Sequence, residues 1–236
     1  ATLTLPTVGG ANSLGGQKDI LIGIVPTVTT QAVSGVGTIT ATANGNITNL
    51  GFPSPTQYGV VWSTSTNPTV ALTTKTTQGT IGTAGPFTSD MTGLAKGTTY
   101  YVRAYATNSA GTVYGDEVTF TTLVPTITSA TYDAQTGVLT LTCQNIATGE
   151  TIAPAKITLT GEGGATYILT TDNVTASSST SASITLNAAD RNAVNIMLNK
   201  NGTSSTGGTT YNLAAADDWD TSVTSANSAD AINSMT

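Results

Sequence analysis

Histidine is missing from these 236 residues, and cysteine occurs once, at Cys143. Without histidine, the Ser-His-Asp and Cys-His arrangements of nucleophilic catalysis have no base, and the commonest zinc ligand is unavailable. A single cysteine excludes an intramolecular disulfide, so packing must do the work that staples do in small secreted domains. Charge is also scarce, at 8% of residues, with seven Lys and Arg against thirteen Asp and Glu and a formal net charge of −6. Such an acidic balance neutralises few phosphates and argues against a nucleic-acid partner. The longest apolar run, Ile20 to Val25, is interrupted by Gly23 and falls far short of the roughly 20 residues a membrane helix needs, so no membrane insertion is expected. Glycine-rich stretches such as Gly161-Glu-Gly-Gly164 and Gly207-Gly208 lack the Gly-Lys-Ser/Thr ending of a phosphate loop and read as hairpin turns.

What remains is Thr, Ser, Asn and Gly around short alternating β-branched runs, the pattern of strands with one face buried. The length suits two domains of ordinary size. The fold expected is all-β: two immunoglobulin-like β-sandwich domains in tandem, the second with one short helix, preceded by an extended N-terminal segment. Residues 1–24 form that segment, 25–123 the first sandwich and 124–236 the second, with Leu123-Val-Pro125 as the hinge. Strands are expected at 38–43, 58–63, 100–107 and 113–121, with turns at Asn44-Gly45, Asn67-Pro68, Ala84-Gly85-Pro86 and Asn108-Ser-Ala-Gly111. In the second domain they are expected at 126–131, 138–143, 156–160, 167–171 and 183–186. A helix follows, capped by Asn187, with Asp190 in its first turn, Val194, Met197 and Leu198 on one face and Gly202 just past its end.

The run Leu94-Ala-Lys-Gly-Thr-Thr-Tyr-Tyr-Val-Arg-Ala-Tyr-Ala106, with Tyr58-Gly-Val-Val-Trp-Ser-Thr-Ser65 and Asn108-Ser-Ala-Gly-Thr-Val-Tyr-Gly115, resembles bacterial fibronectin type III-like modules over about residues 26–123. In that resemblance Tyr100 matches the tyrosine that anchors a corner of the sandwich, a structural role; Lys96 stands where such modules often have proline. No Arg-Gly-Asp tripeptide supports integrin-type binding. Residues 124–220 resemble a module repeated in large bacterial surface adhesins. The resemblance rests on Tyr132-Asp-Ala-Gln-Thr-Gly-Val-Leu-Thr-Leu-Thr142, Ile157-Thr-Leu-Thr-Gly-Glu-Gly-Gly164, Leu186-Asn-Ala-Ala-Asp190 and Leu198-Asn-Lys-Asn-Gly202. It implies an extracellular scaffold without a known activity.

The candidate site residues are few. Ala1-Thr-Leu-Thr-Leu5 alternates as a strand does, and Ile20 to Ile24 resumes the pattern after two Gly-Gly breaks. Leu3, Leu5, Ile20, Ile22 and Ile24 therefore either pair within their own chain or form a donor strand that adds to a neighbouring subunit's sheet edge. Asp217, Asp218 and Asp220 form the one acidic cluster, which suits calcium if folded into a cleft and is otherwise a solvated loop. No other cofactor is implied. Trp62 lies in a strand pattern and is expected in the core, leaving Tyr101 and Tyr105 as the aromatic surface candidates for stacking on sugars. The leading expectation is a non-catalytic extracellular structural protein, a filament or adhesin subunit that self-associates into a polymer and meets a glycan or host surface. The alternative is a carbohydrate-binding or spacer module of a secreted polysaccharide-degrading enzyme. A start at Ala1 rather than Met fits an exported protein whose leader has been removed.

Overall fold

In the computed structural model the described residues are 23–224 and 228–236. Leu3, Leu5, Ile20 and Ile22, four of the five expected subunit contacts, lie outside them. The chain packs as two compact units. The first runs up to Gly35 and includes Ala41–Met91 and Tyr100–Phe120; the second comprises Val36–Thr40, Thr92–Thr99 and Thr121–Thr236.

The first unit is built on β1 (Thr27–Ser34), β2 (Thr40–Asn49), β3 (Gln57–Ser63), β4 (Gly85–Thr92), β5 (Thr99–Asn108), β6 (Gly111–Tyr114) and β7 (Val118–Thr121). One sheet runs β1-β2-β4; the other runs β3-β5-β6, with β7 also on β5. The β3–β5 and β5–β6 pairs are antiparallel, with Val60 opposite Ala104 and Asn108 opposite Gly111 across the tight turn. Period-two alternation sends Ala41, Ala43 and Ile47 of β2 inward against Phe87 and Met91 of β4 and Val102, Ala104 and Ala106 of β5. Each large aliphatic removed from water in this way contributes roughly 1.5–3 kcal/mol.

Several expectations are corrected here: Gly85 and Pro86 belong to β4 rather than to a turn, and the strand expected over 113–121 is two, β6 and β7. Asn44-Gly45 is no turn: β2 continues through it to Asn49, with Gln31 opposite Asn44 and Thr30 opposite Gly45. A Cβ on Gly45 would lie 2.4 Å from Phe87 Cζ, so the glycine leaves room for a core ring. Tyr105, expected on the outer face of β5, is completely buried. Residues 74–78 pair along the edge of β3, with Trp62 N–H donating to Thr74 O and Gln78 N–H to Tyr58 O, and Tyr105 lies opposite Gly59 of β3. The Tyr105 hydroxyl donates to Thr76 O at 2.7 Å and accepts from Gln57 Nε2 at 3.1 Å.

The second unit holds β8 (Thr126–Asp133), β9 (Val138–Gln144), β10 (Thr151–Ile152), β11 (Ile157–Thr160), β12 (Thr166–Ile168), β13 (Val174–Thr175), β14 (Ser181–Thr185), α1 (Ala188–Met197), β15 (Asn212–Ala215) and β16 (Asp230–Asn233). Sheets of order β14-β9-β8 and β12-β11-β15-β16 enclose the core, and β10-β13 forms a small third ladder. Leu139, Leu141 and Cys143 of β9 point inward with Ile184 of β14, Ile157 and Leu159 of β11, and Leu213 of β15. Trp219 is fully buried among them, its indole N–H donating to Ser228 O at 2.6 Å. The described residues thus form an all-β protein of immunoglobulin-like sandwich architecture with one α-helix among them.

Candidate functional site

Among the described residues, both ion pairs converge on one buried amine. Lys96 lies in the segment between β4 and β5 that belongs to the second unit, and it is only 4% exposed. That segment is fastened on either side of it: Thr122 Oγ1 donates to Ala95 O at 2.6 Å, and Gly97 N–H, at a left-handed φ of 57°, donates to Leu123 O at 3.2 Å. Lys96 Nζ then reaches Glu150 Oε1 at 2.6 Å and Asp220 Oδ2 at 3.1 Å.

The two carboxylates are set by backbone pairing. Ile152 of β10 bridges Asp220, and Thr221 N–H donates to Thr151 O at 3.0 Å, which brings Glu150 alongside Asp220. Each carboxylate is also held at its other oxygen. Glu150 Oε2 accepts from Ala147 N–H at 2.9 Å. Asp220 Oδ1 accepts from Ser222 N–H at 2.9 Å and from Ser222 Oγ at 2.6 Å. Asp220 is completely buried, so desolvation is offset only by this set of charge-assisted bonds.

A second buried carboxylate organises the helix. Asn187 Oδ1 accepts from Asp190 N–H at 2.9 Å, capping α1, while Val194 and Met197 face the core. Asp190 is itself fully buried and accepts from the backbone N–H and hydroxyl groups of both Thr170 and Thr171, and from Tyr167 OH at 3.0 Å. Burial alone would raise its pKa, but the bonds from Thr170 and Thr171 outweigh that and hold it below 3.8.

The other candidate residues fall in different places. Asp217, Asp218 and Asp220 are not assembled as a calcium site. Asp217 Oδ1 accepts from Ser228 N–H and Oγ and from Asp218 N–H, whereas Asp220 turns to Lys96 and Ser222. No group of three His, Cys, Asp or Glu suited to a metal occurs among the described residues. The Asp217 pKa is lowered, first by the Ser228 N–H. Cys143 is buried, and desolvation, then Asp230 and Asp220, push its thiol up to about 11, so it stays protonated at neutral pH. Tyr100 is 8% exposed and stacks on Phe120 with ring centroids 5.7 Å apart; Trp62 is 9% exposed. Ile24 pairs with Phe52 through two backbone bonds of 2.7 and 2.8 Å and keeps its side chain half exposed.

Sequence reasoning passed over a cleft of about 330 Å3 in the second unit, lined by Tyr132, Asp133, Gln135, Lys200, Asn201 and Tyr211 among others. It assembles the β8–β9 turn and the chain after α1, which are far apart in sequence. Among the described residues no helix is long and apolar enough to cross a membrane.

No protein-family model matches this sequence, and no curated protein does. Among solved structures, the sensor domain of the anti-sigma factor RsgI4 in Pseudobacteroides cellulosolvens is similar at 17% identity and a TM-score of 0.33, over 42% of this chain and 96% of that one. The FN1–FN3 domains of chicken CNTN1 are similar at 13% identity and a TM-score of 0.28, over 91% of this chain and 69% of that one. At those scores neither likeness bears on function.

Proposed function

We propose that this chain is a non-catalytic structural protein of the cell exterior, a filament or adhesin subunit whose copies join through strands and sheet edges. The observation that carries the reading is the direction of its buried charge. Lys96, Asp220 and Asp190 point into the protein and fasten loops to strands, with their partners all drawn from the chain itself. Groups engaged in this way serve rigidity rather than turnover. The end strand β12 of the β12-β11-β15-β16 sheet carries Ile168 with its side chain 58% exposed, an edge of the kind that strand addition uses.

Electron microscopy of the purified full chain, beside a variant lacking residues 1–24, tests this reading. Fibres from the full chain and folded monomers from the truncated one are expected. A full chain that stays monomeric at every concentration would defeat the filament reading. A second reading, glycan binding, is favoured by the cleft beside Tyr132 and Asp133. Glycan-array binding that disappears in Tyr132→Ala, without polymerisation of the parent chain, would put that reading first.

A further inference from the structure

We infer that Lys96 and Asp220 become joined by an amide bond that forms within the folded protein, with Glu150 relaying the protons. The inference goes beyond the structural role proposed above and holds whether or not the chain polymerises. Its three residues all lie in the second compact unit.

The geometry supplies each part that an uncatalysed condensation lacks. The nucleophile and the carboxyl group are held together, with Lys96 Nζ 3.1 Å from Asp220 Oδ2 and both side chains at most 3% exposed. Confinement at that distance replaces a bimolecular encounter, and exclusion of water favours condensation over hydrolysis. A proton acceptor stands ready, because Glu150 Oε1 is 2.6 Å from the same nitrogen and Ala147 N–H fixes its other oxygen. The carbonyl oxygen has its own donors, since Ser222 N–H and Oγ both point at Asp220 Oδ1, where negative charge develops in a tetrahedral intermediate.

The step balances without any external reagent. The Lys96 ammonium passes one proton to Glu150, and the freed lone pair attacks Cγ of Asp220, forming the N–C bond and moving charge onto Oδ1. Glu150 delivers its proton to Oδ2, takes a second from the nitrogen and delivers that too. The Cγ–Oδ2 bond then breaks and Oδ2 leaves as water. An ammonium and a carboxylate become a neutral secondary amide plus one water, and Glu150 ends as it began. The event happens once per chain and closes a loop between positions 124 apart in sequence.

Intact-mass spectrometry of the denatured full-length chain tests the proposal. Wild type is expected to be lighter than its sequence mass by one water, and proteolysis should yield a branched peptide joining the segments that contain Lys96 and Asp220. Lys96→Arg and Glu150→Gln should both run at full sequence mass while keeping a β-type circular dichroism spectrum. A wild-type chain that is folded yet has its full sequence mass overturns the proposal, whether or not the variants fold. A lost water that maps to any other pair of residues overturns it equally.

Discussion

At the scale of single residues, scarce charge makes each buried ionisable group conspicuous in the structure and nearly invisible in the sequence. Asp190 could be read as an acid in a helix's first turn, but its hub role could not, because its partners Thr170 and Thr171 are ordinary members of a Thr-rich chain. Lys96 offers even less, since Glu150 and Asp220 lie 54 and 124 positions away. Asp190→Asn replaces an acceptor oxygen with an amide that confronts N–H and O–H donors, so a loss of about 2–3 kcal/mol is expected from urea unfolding near neutral pH. The pH dependence has a definite sign. The folded-state pKa lies below 3.8, so the carboxylate's contribution is complete above about pH 4 and fades as pH falls through the depressed value. The gap between wild type and Asp190→Asn should therefore close below about pH 4, and a gap that is constant over that range would show that Asp190 acts by shape alone.

At the scale of elements, α1 offers the sharpest test, because its cap is a single side chain on an exposed residue. Asn187→Ala should cost about 1 kcal/mol and Asn187→Ser only a few tenths, since Ser can also accept from the N3 amide; thermal melts of the three proteins would show the order. Equal loss for Ala and Ser would mean that the bond from Asn187 Nδ2 to Thr170 Oγ1, rather than the cap, matters. Both the cap and the helix were legible in the sequence, as were β9 and β11, because alternation or helical spacing marks one buried face; β3 and β5 were legible as short β-rich runs between turn residues, although both of their faces are buried at Val60, Val61 and Tyr105. Elements with neither signal were not. Asn44-Gly45 carries the strongest local turn signal in β2, yet tertiary packing of Phe87 against Gly45 keeps the strand straight through it. The four residues of β15, Asn-Leu-Ala-Ala, have no β-branched member, and β15 is a strand because it is flanked by β11 and β16. The candidate site fared worst, since it depends on long-range register between short ladders.

For the molecule as a whole, the net charge of −6 and the pI near 4.2 set its behaviour in solution, while packing sets its stability. The two ion pairs found among the described residues both involve Lys96, with the amine and Asp220 away from solvent, where mobile ions screen little. Added salt should therefore leave stability nearly unchanged: melting temperatures at about 20 mM and about 500 mM NaCl are expected to agree to within roughly 2 °C. Association should respond to pH instead. With no histidine to titrate, the charge holds from pH 7 down to about pH 5 and is lost as the carboxylates protonate below it, so light scattering should stay flat to about pH 5, rise from there toward 4.2 and fall again if the pH is restored. The rise should come before unfolding, because the depressed pKa values of Asp190 and Asp217 keep those carboxylates ionised through most of the range. A steep loss of melting temperature with salt would place the stabilising electrostatics on the surface, and scattering that does not change as charge is removed would show that repulsion is not what keeps the chains apart.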